Sequence, residues 1–469
     1  MSKLGKYVHG LGVENFDSGE EKPEIGDNEC EATLTEVKGE LVEAEIKVDL
    51  ATDSAQALSE ESAALEDYVD LLREAAVTGR MSPRAHQILA VGIESFTRNT
   101  GVVPKDFPTT ADFGGRMSQR QAITISVESL SEVAKKTWEA FKLAVQALYG
   151  QLQDYATKLL DGSAKLNEKA LALQTQIKGM TGTPKVTEIT IANGTPLAID
   201  GQFAGQDVTA LLSMTSLVFE KYQHGLGAYL GDIKGVIDNI KFDAPIDAIE
   251  LGVAAFRHAP SYTFNIGTIA TAVEGDSRFP AGAKVKQGHI LPGNMAIYMT
   301  VDPEEKPNDS KALALMLTGV KLSLLPVPTA KPLQGEVTVK VGNLQELTKR
   351  ITFIVRAAEI ISKKQDYADS SKKALDALMT SLDHLKQRGD AAKEPVEGAP
   401  APAVDVSATV SDFVGVAQNC QRLIGKDLQG MFSYSIRTLG AYLALIEKEV
   451  AAYQAPAEEA PAAAEPATA

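Results

Sequence analysis

Cysteine is nearly absent from this chain of 469 residues. Its two cysteines, Cys30 and Cys420, lie 390 positions apart. A disulfide-stabilised scaffold needs several cysteine pairs, and a zinc site built on cysteine needs ligands at close spacing. We therefore expect neither of these, and we expect the protein to fold in a reducing compartment.

The sequence also lacks the long apolar runs that membranes require. No window approaches 18 uninterrupted apolar residues, and the first 30 residues carry no apolar segment flanked by basic residues. The first absence predicts no membrane-spanning helix, and the second predicts no secretory signal. With 44% apolar and 23% charged residues, the composition is that of a folded soluble protein.

Positive charge is scarce at one end of the chain. The formal net charge is −16, and residues 1–128, with 24 acidic and 12 basic side chains, carry −12 of it. The remaining 341 residues carry −4. Duplex nucleic acid binds to surfaces with a local excess of cations, so we expect no sequence-specific nucleic-acid binding by the intact protein.

Motifs of catalysis and cofactor binding are missing as well. The string closest to a phosphate-binding loop, GMTGTPK at 179–185, lacks the Gly-Lys-Ser/Thr ending. The six histidines are scattered, and no GxSxG string marks a serine nucleophile. We expect no enzyme activity, no catalytic residue, no cofactor and no metal site. An enzyme with an unrecognised site in 260–343 is the weakest alternative.

A heptad repeat is the first strong pattern that the sequence does contain. Twelve of its thirteen positions are apolar, which predicts a long helix that packs lengthwise on other helices. Small residues at several central positions favour a bundle over an isolated dimer, and self-association through helices stays an open alternative. The positions are Leu34, Val37, Leu41, Ala44, Val48, Ala51, Ala55, Leu58, Ser62, Leu65, Val69, Leu72 and Ala76.

A second apolar stripe contains the only tryptophan of the chain. Its members recur at alternating spacings of 4 and 3, which predicts one face of a helix. A membrane-surface helix would be more uniformly basic than this one, whose polar face mixes glutamates with lysines, so bundle packing is favoured and membrane contact is not expected. The stripe comprises Ala134, Trp138, Phe141, Val145, Leu148, Leu152, Tyr155 and Leu159.

Periodicity and turn residues predict a mainly α fold, with long helices in bundle or coiled-coil packing and a smaller β or α+β insert. Asn193-Gly194 predicts a hairpin at 185–200, and LALMLTGVKLSLL at 313–325 reads as β-rich. The predicted segments are a disordered acidic tail (1–30), an acidic helical propeptide-like region (31–100), an exposed connector (101–128), a helical region (129–258), a β-rich insert (259–343), a helix (344–390), a linker (391–404), C-terminal helices (405–453) and a disordered Pro/Ala tail (454–469).

The string FGGRMSQRQAITISVES, followed by an amphipathic helix with lysines and a tryptophan, resembles internal head proteins of T-even-like and giant tailed bacteriophages. The junction motif is Phe113, Gly114 and Gly115. The further matching positions are Ser118, Ala122, Ser126, Glu128, Lys135, Lys136 and Trp138. The resemblance implies a removable N-terminal region and a mature part that stays inside the capsid.

Head-maturation proteases of that family cut after glutamate in small-x-Glu or aliphatic-x-Glu strings. Ser126-Val127-Glu128 fits the first form, although thirteen small-x-Glu strings occur in this chain. The position of Glu128, after a Gly/Pro-rich connector and at the step in charge density, favours it over the others. A protease cleft accepts an extended, accessible segment, which is what we expect at 126–128.

The resemblance implies a non-enzymatic structural protein of the virion, processed after Glu128 and packaged in the capsid interior after assembly in the host cytoplasm. Its implied partners are other virion or prohead-core proteins and the head-maturation protease. Removal of residues 1–128 would leave a nearly neutral body beside packaged DNA. The alternative is an intracellular helical scaffold or adaptor protein, in which the acidic coiled-coil region is permanent.

Overall fold

A computed structural model describes most of the chain. The described residues are 29–78, 81–100, 107–109, 112, 118–243, 251, 271–273, 276–279, 285–300, 309–319, 322–362, 367–393 and 403–454. Nearly all of the two predicted tails and the junction motif Phe113, Gly114 and Gly115 lie outside these ranges. The fold is mainly α with small antiparallel sheets, which confirms the predicted fold class.

Ten α-helices and eight strands are assigned within the described residues. The helices are α1 (Glu29–Thr78), α2 (Pro83–Thr100), α3 (Gln119–Gly179), α4 (Thr209–Ser216), α5 (Gln223–Asn239), α6 (Ser310–Gly319), α7 (Leu344–Ser362), α8 (Tyr367–Lys393), α9 (Val406–Arg422) and α10 (Leu428–Gln454). The strands are β1 (Glu188–Ile191), β2 (Ala198–Ile199), β3 (Gln202–Phe203), β4 (Thr271–Val273), β5 (Val285–Gln287), β6 (Met295–Thr300), β7 (Leu322–Pro326) and β8 (Val337–Lys340).

Helices α1 and α3 pack against each other in antiparallel orientation along most of their length. Of the thirteen heptad positions on α1, all but Ala51, Leu58 and Ala76 are buried. Thr52 and Ser59, one residue beyond a heptad position, are buried as well. A straight helix with 3.6 residues per turn drifts away from a 3.5-residue repeat, so the buried face shifts by one residue along α1.

All eight stripe residues of α3 are buried, as predicted. The helix is 61 residues long, and it begins at Gln119. The predicted connector at 101–128 is therefore wrong for its last ten residues, which are helical. Ser118 precedes them as the N-cap residue, and its hydroxyl oxygen accepts a hydrogen bond from the Gln121 amide at 3.3 Å.

The apolar side chains form one large core and a smaller one beside it. The large core joins the N-terminal half of α1 to α3 and to helices α4–α10. The small core joins the C-terminal half of α1, helix α2 and the beginning of α3. Its buried members are Leu65, Val69, Leu72, Leu89, Ile93, Leu130, Val133 and Ala134.

The predicted hairpin at 185–200 does not form. Strand β1 pairs in antiparallel orientation with β8, with Ile191 opposite Val337, and β2 pairs with β3. Asn193-Gly194 leads into a 3-10 turn, Thr195–Leu197, and Gly194 has a helical φ of −85°. Pro196 fixes φ and cannot donate a ladder hydrogen bond, so the chain turns without pairing the flanking strands.

The predicted β-rich insert contains a four-stranded antiparallel sheet in the order β4-β5-β6-β7. The segment at 313–325 is not all strand, since helix α6 precedes β7. Leu313, Ala314 and Leu317 lie on one buried helix face, which is the spacing of a helix and not the alternation of a strand. Residues 259–270 of the insert lie outside the described ranges.

The single helix predicted at 344–390 is two helices, α7 and α8. Asn343 and Glu346 cap α7 reciprocally, each side chain accepting a hydrogen bond at 3.0 Å from the other's amide. Helix α8 extends to Lys393, into the predicted linker at 391–404.

Helices α9 and α10 run on through a π-helical segment, Leu423–Asp427. A second π-helical segment, Leu217–Tyr222, joins α4 to α5. Phe219 in that segment stacks on Phe432 of α10, with ring centroids 4.3 Å apart. Throughout the described part of the chain, no helix combines the length and the apolar character that crossing a membrane requires.

Candidate processing site

The candidate site Ser126-Val127-Glu128 lies in the third turn of α3. Ser126 is fully buried, Val127 is half-buried and Glu128 is exposed. The Ser126 hydroxyl donates a hydrogen bond to the Ala122 carbonyl at 2.9 Å, within the same helix. Glu128 is therefore the most exposed of the three residues.

His86 of α2 holds the other side of Ser126. Its Nε2 atom lies 3.5 Å from the Ser126 hydroxyl oxygen, and its ring stacks on Phe107 with centroids 5.1 Å apart. Burial lowers the pKa of the His86 imidazole, which favours the neutral ring at neutral pH. The arrangement packs α2 onto the beginning of α3.

The first turns of α3 are anchored by apolar contacts. Ala122 and Ile123 are buried against Ala75 and Ala76 at the end of α1. Leu130, two residues after Glu128, belongs to the small core. The expected extended segment at 126–128 is therefore wrong: a protease cleft would reach the peptide bond after Glu128 only when these turns unwind from the small core.

A charged groove of about 920 Å³ runs beside Glu128 between α1, α3 and α8. Lys386 of α8 pairs with Glu66 of α1, and the Lys393 ammonium lies 2.8 Å from an Asp70 carboxylate oxygen. These two pairs join the C-terminal half of α1 to α8 across the groove.

Asp70 is also held by the Ser407 hydroxyl, which donates a hydrogen bond to its carboxylate. Burial by itself raises the pKa of Asp70, but the hydrogen bonds from Lys393 and Ser407 and the charge of Lys393 outweigh it. The pKa of Asp70 therefore lies below its ordinary value. The carboxylate is the stable form at neutral pH, as the ion pair requires.

Trp138 lies on the α3 wall of the groove. Its indole N–H donates a hydrogen bond of 2.7 Å to Asp383, and the Lys386 ammonium lies 4.6 Å from its ring centroid. The same lysine thus pairs with Glu66 of α1 and contacts the only tryptophan of the chain.

Further ion pairs connect the N-terminal half of α1 to the rest of the molecule. Glu36 lies 2.8 Å from Lys165 of α3, and Glu45 lies 3.1 Å from Arg437 of α10. In every one of these contacts α1 supplies the carboxylate and the other helix supplies the cation.

No arrangement with catalytic chemistry is seen among the residues that the structure describes. That part of the chain holds no group of three or more His, Cys, Asp or Glu side chains placed to bind a metal ion. Cys420 is fully buried, and burial raises the pKa of its thiol to about 12, so the nucleophilic thiolate is suppressed.

The sequence prediction missed the start of α3, for which a signal was present, and the charged groove, for which none was. Ser118 followed by Gln121 is a capping-box spacing, and it marks the true start of α3. The groove left no signal, because Glu66 and Lys386 are 320 positions apart.

Comparison with known protein families gives a match over most of the chain. A family model described as phiKZ-like phage internal head proteins matches residues 36–448. Neither the curated proteins nor the solved structures that were searched include a match. The matched range begins near the start of α1 and ends in α10, so it spans both cores.

Proposed function

The chain belongs to the family of phiKZ-like phage internal head proteins, and from this premise we propose that it is a non-enzymatic component of the head that is processed after Glu128. Its role is structural and its place is inside the virion capsid. The observation that carries its place in the head is the extent of the family match, which includes most of α1, the candidate site and most of the C-terminal helices.

Two features of the site support processing after Glu128. Glu128 is exposed on α3, and Ser126 provides the small residue two positions before it. The cut would follow local unwinding of the first turns of α3, because Ser126 and Ile123 are buried in the folded chain. The head-maturation protease is the proposed enzyme, and other prohead-core proteins are the proposed neighbours during assembly.

The charge distribution supports a temporary role for the N-terminal region. Residues 1–128 carry −12 of the net −16, and like charge repels DNA. We propose that this region keeps the precursor away from DNA during assembly. We also propose that the negatively charged region is removed from the rest of the protein when DNA is packaged.

Mass spectrometry of the protein from purified native particles tests the proposal. The expected result is a mature N-terminus at Ser129. An N-terminus at Met1 or Ser2, with peptides that cross the bond between Glu128 and Ser129, would sink the processing step and would leave the capsid location untouched. The twelve other small-x-Glu strings serve as internal controls, since a cut at one of them in place of Glu128 would also contradict the assignment.

A further inference from the structure

Helix α1 is built into the apolar core of the rest of the protein. Val37, Leu41, Ala44, Val48 and Ala55 all belong to the large core, where α3 and α10 meet them. Residues 129–454 are called the body below.

The body has recesses shaped for α1. Gly162 of α3 is buried, and a Cβ atom at this position would lie 2.6 Å from Cγ1 of Val37. At Gly440 of α10 a Cβ atom would overlap the side chain of Leu34. Glycine at both positions lets the two apolar side chains of α1 reach the body backbone.

Ion pairs between α1 and the body accompany these apolar contacts. Glu36, Glu45, Glu66 and Asp70 of α1 pair with Lys165, Arg437, Lys386 and Lys393 of the body, respectively. The four pairs extend over more than half of α1 and have one polarity, with every carboxylate on α1. The surface of the body that α1 covers is therefore apolar along its middle and carries cations along its edges. Such a surface complements an acidic amphipathic helix.

None of these contacts involves residues 101–128, the segment that links α2 to the body. Cutting the chain after Glu128 changes the attachment of α1 from intramolecular to bimolecular, but it breaks no contact between α1 and the body. We infer that the body is a binding site for an acidic amphipathic helix, and that cleavage after Glu128 alone leaves the N-terminal fragment bound. This inference takes its biological setting from the proposed function.

Release of the fragment therefore requires a second event, such as further cleavage within α1. Until then the cut protein is a two-chain complex that keeps the charge of the precursor. Processing and loss of the acidic helix are separate steps.

The test uses the full chain with a recognition sequence for a site-specific protease inserted between Gly114 and Gly115. A second variant carries the sequence between Glu128 and Ser129. After cutting, both are passed through a size-exclusion column with light-scattering detection. Co-elution of the two fragments at the mass of the uncut protein is expected for both variants. Separate elution of the N-terminal fragment, or aggregation of the body, from either variant overturns the inference.

A charge-reversal series on the same cut protein tests whether the ion pairs contribute to binding. Glu36→Lys, Glu45→Lys and Asp70→Lys together are expected to raise the Kd of the two fragments about tenfold or more. Lys165→Glu, Arg437→Glu and Lys393→Glu in the body are expected to restore binding. An unchanged Kd in the first set, or failure of the second set to restore it, would contradict the role assigned to these ion pairs in binding α1.

The matched control makes the same charge change on exposed α1 residues that form none of the four ion pairs. Asp53→Lys, Glu60→Lys and Glu74→Lys are expected to leave co-elution unchanged. If this set releases the fragment as effectively as the first, net charge governs the association, and the pairing assigned here is wrong.

The two proposals fail separately. A native N-terminus at Met1 would remove the processing step, whereas the cut variants would still report whether the body holds α1. Conversely, a native start at Ser129 together with fragments that separate in solution would retain the processing step and overturn the inference.

Discussion

Among single residues of the large core, Arg350 of α7 and Glu449 of α10 form a buried ion pair. The two side chains are 7% and 0% exposed, and their charged atoms approach to 2.7 Å. Glu449 also accepts a hydrogen bond from the Gly342 amide at 3.0 Å. The carboxylate thus fixes the end of β8, the start of α7 and the last turns of α10 relative to one another.

Glu449→Ala should destabilise the protein by about 3–5 kcal/mol, because it leaves the Arg350 charge buried without its partner. Urea unfolding followed by circular dichroism measures the change. Glu43→Ala is the matched control, since Glu43 is 65% exposed and pairs with Lys47 in the same helix. Equal losses in the two variants would mean that Glu449 is not buried as described.

Asp70 gives a pH-dependent prediction. Its folded pKa lies below the ordinary value, so its stabilising contribution is complete above about pH 4 and is lost as the pH falls through the folded pKa. Asp70→Asn should cost about 1 kcal/mol between pH 5 and 7, and this difference should shrink at lower pH. Urea unfolding at a series of pH values measures it.

Asp49 on the same helix is a control, because its pKa is shifted in the opposite direction. Burial raises the pKa of Asp49, and this effect exceeds the opposing charge of Lys426. The charged form is disfavoured in the folded state, so Asp49→Asn should stabilise the protein at neutral pH, and the gain should disappear towards about pH 4. A loss of stability in both variants at neutral pH would show that the two environments are not distinguished by burial and pairing.

At the scale of elements, the close contact of α1 with α3 depends on one glycine. Gly162→Ala places a methyl group against Val37 and should destabilise the protein by about 1–3 kcal/mol. Gly150→Ala, on the same helix but exposed with no atom within 4 Å of the new Cβ, should stabilise it by up to about 1 kcal/mol. Thermal unfolding of both variants is the measurement, and shifts of the same sign would mean that α1 does not lie on α3 at this point.

The small core governs access to Glu128. Leu130→Ala removes a fully buried side chain from it and should cost about 2–5 kcal/mol. If opening is fast relative to cleavage, a Glu-specific protease should then cut after Glu128 roughly 30-fold faster or more. Thr124→Ala, an exposed change one turn earlier, should leave the rate nearly unchanged. Equal rates in the two variants would show that the protease reaches Glu128 without opening of the small core.

The long helices were predictable because their evidence is local and repeated. Ten heptad positions on α1 and eight stripe positions on α3 are buried, and each contributes to the same periodic signal. The hairpin was not predictable from Asn193-Gly194, because β1 pairs with a strand that begins 146 positions after β1 ends. At the candidate site, sequence alone identified an exposed glutamate but not the helix that contains it, and only folding brings Lys386 and Lys393 to α1.

At the scale of the whole molecule, α1 is a structural part of both cores. A chain that starts at Ser129, produced without residues 1–128, should aggregate or associate, because the apolar face that α1 covers becomes exposed. A chain that starts at Glu29 retains α1 and should elute as the full-length protein does. Size-exclusion chromatography and circular dichroism compare them. A folded monomer from Ser129 onward would show that the body does not need α1.

The 61 residues of α3 give the molecule a rigid axis about 90 Å long. A compact domain of 469 residues would have a diameter of about 60 Å, so α3 is longer than such a domain is wide. The small core covers the beginning of this axis and the large core covers the rest, so one unbroken helix carries both cores. Because the cores lie in succession along the axis, unwinding from its beginning reaches the small core first and the large core last.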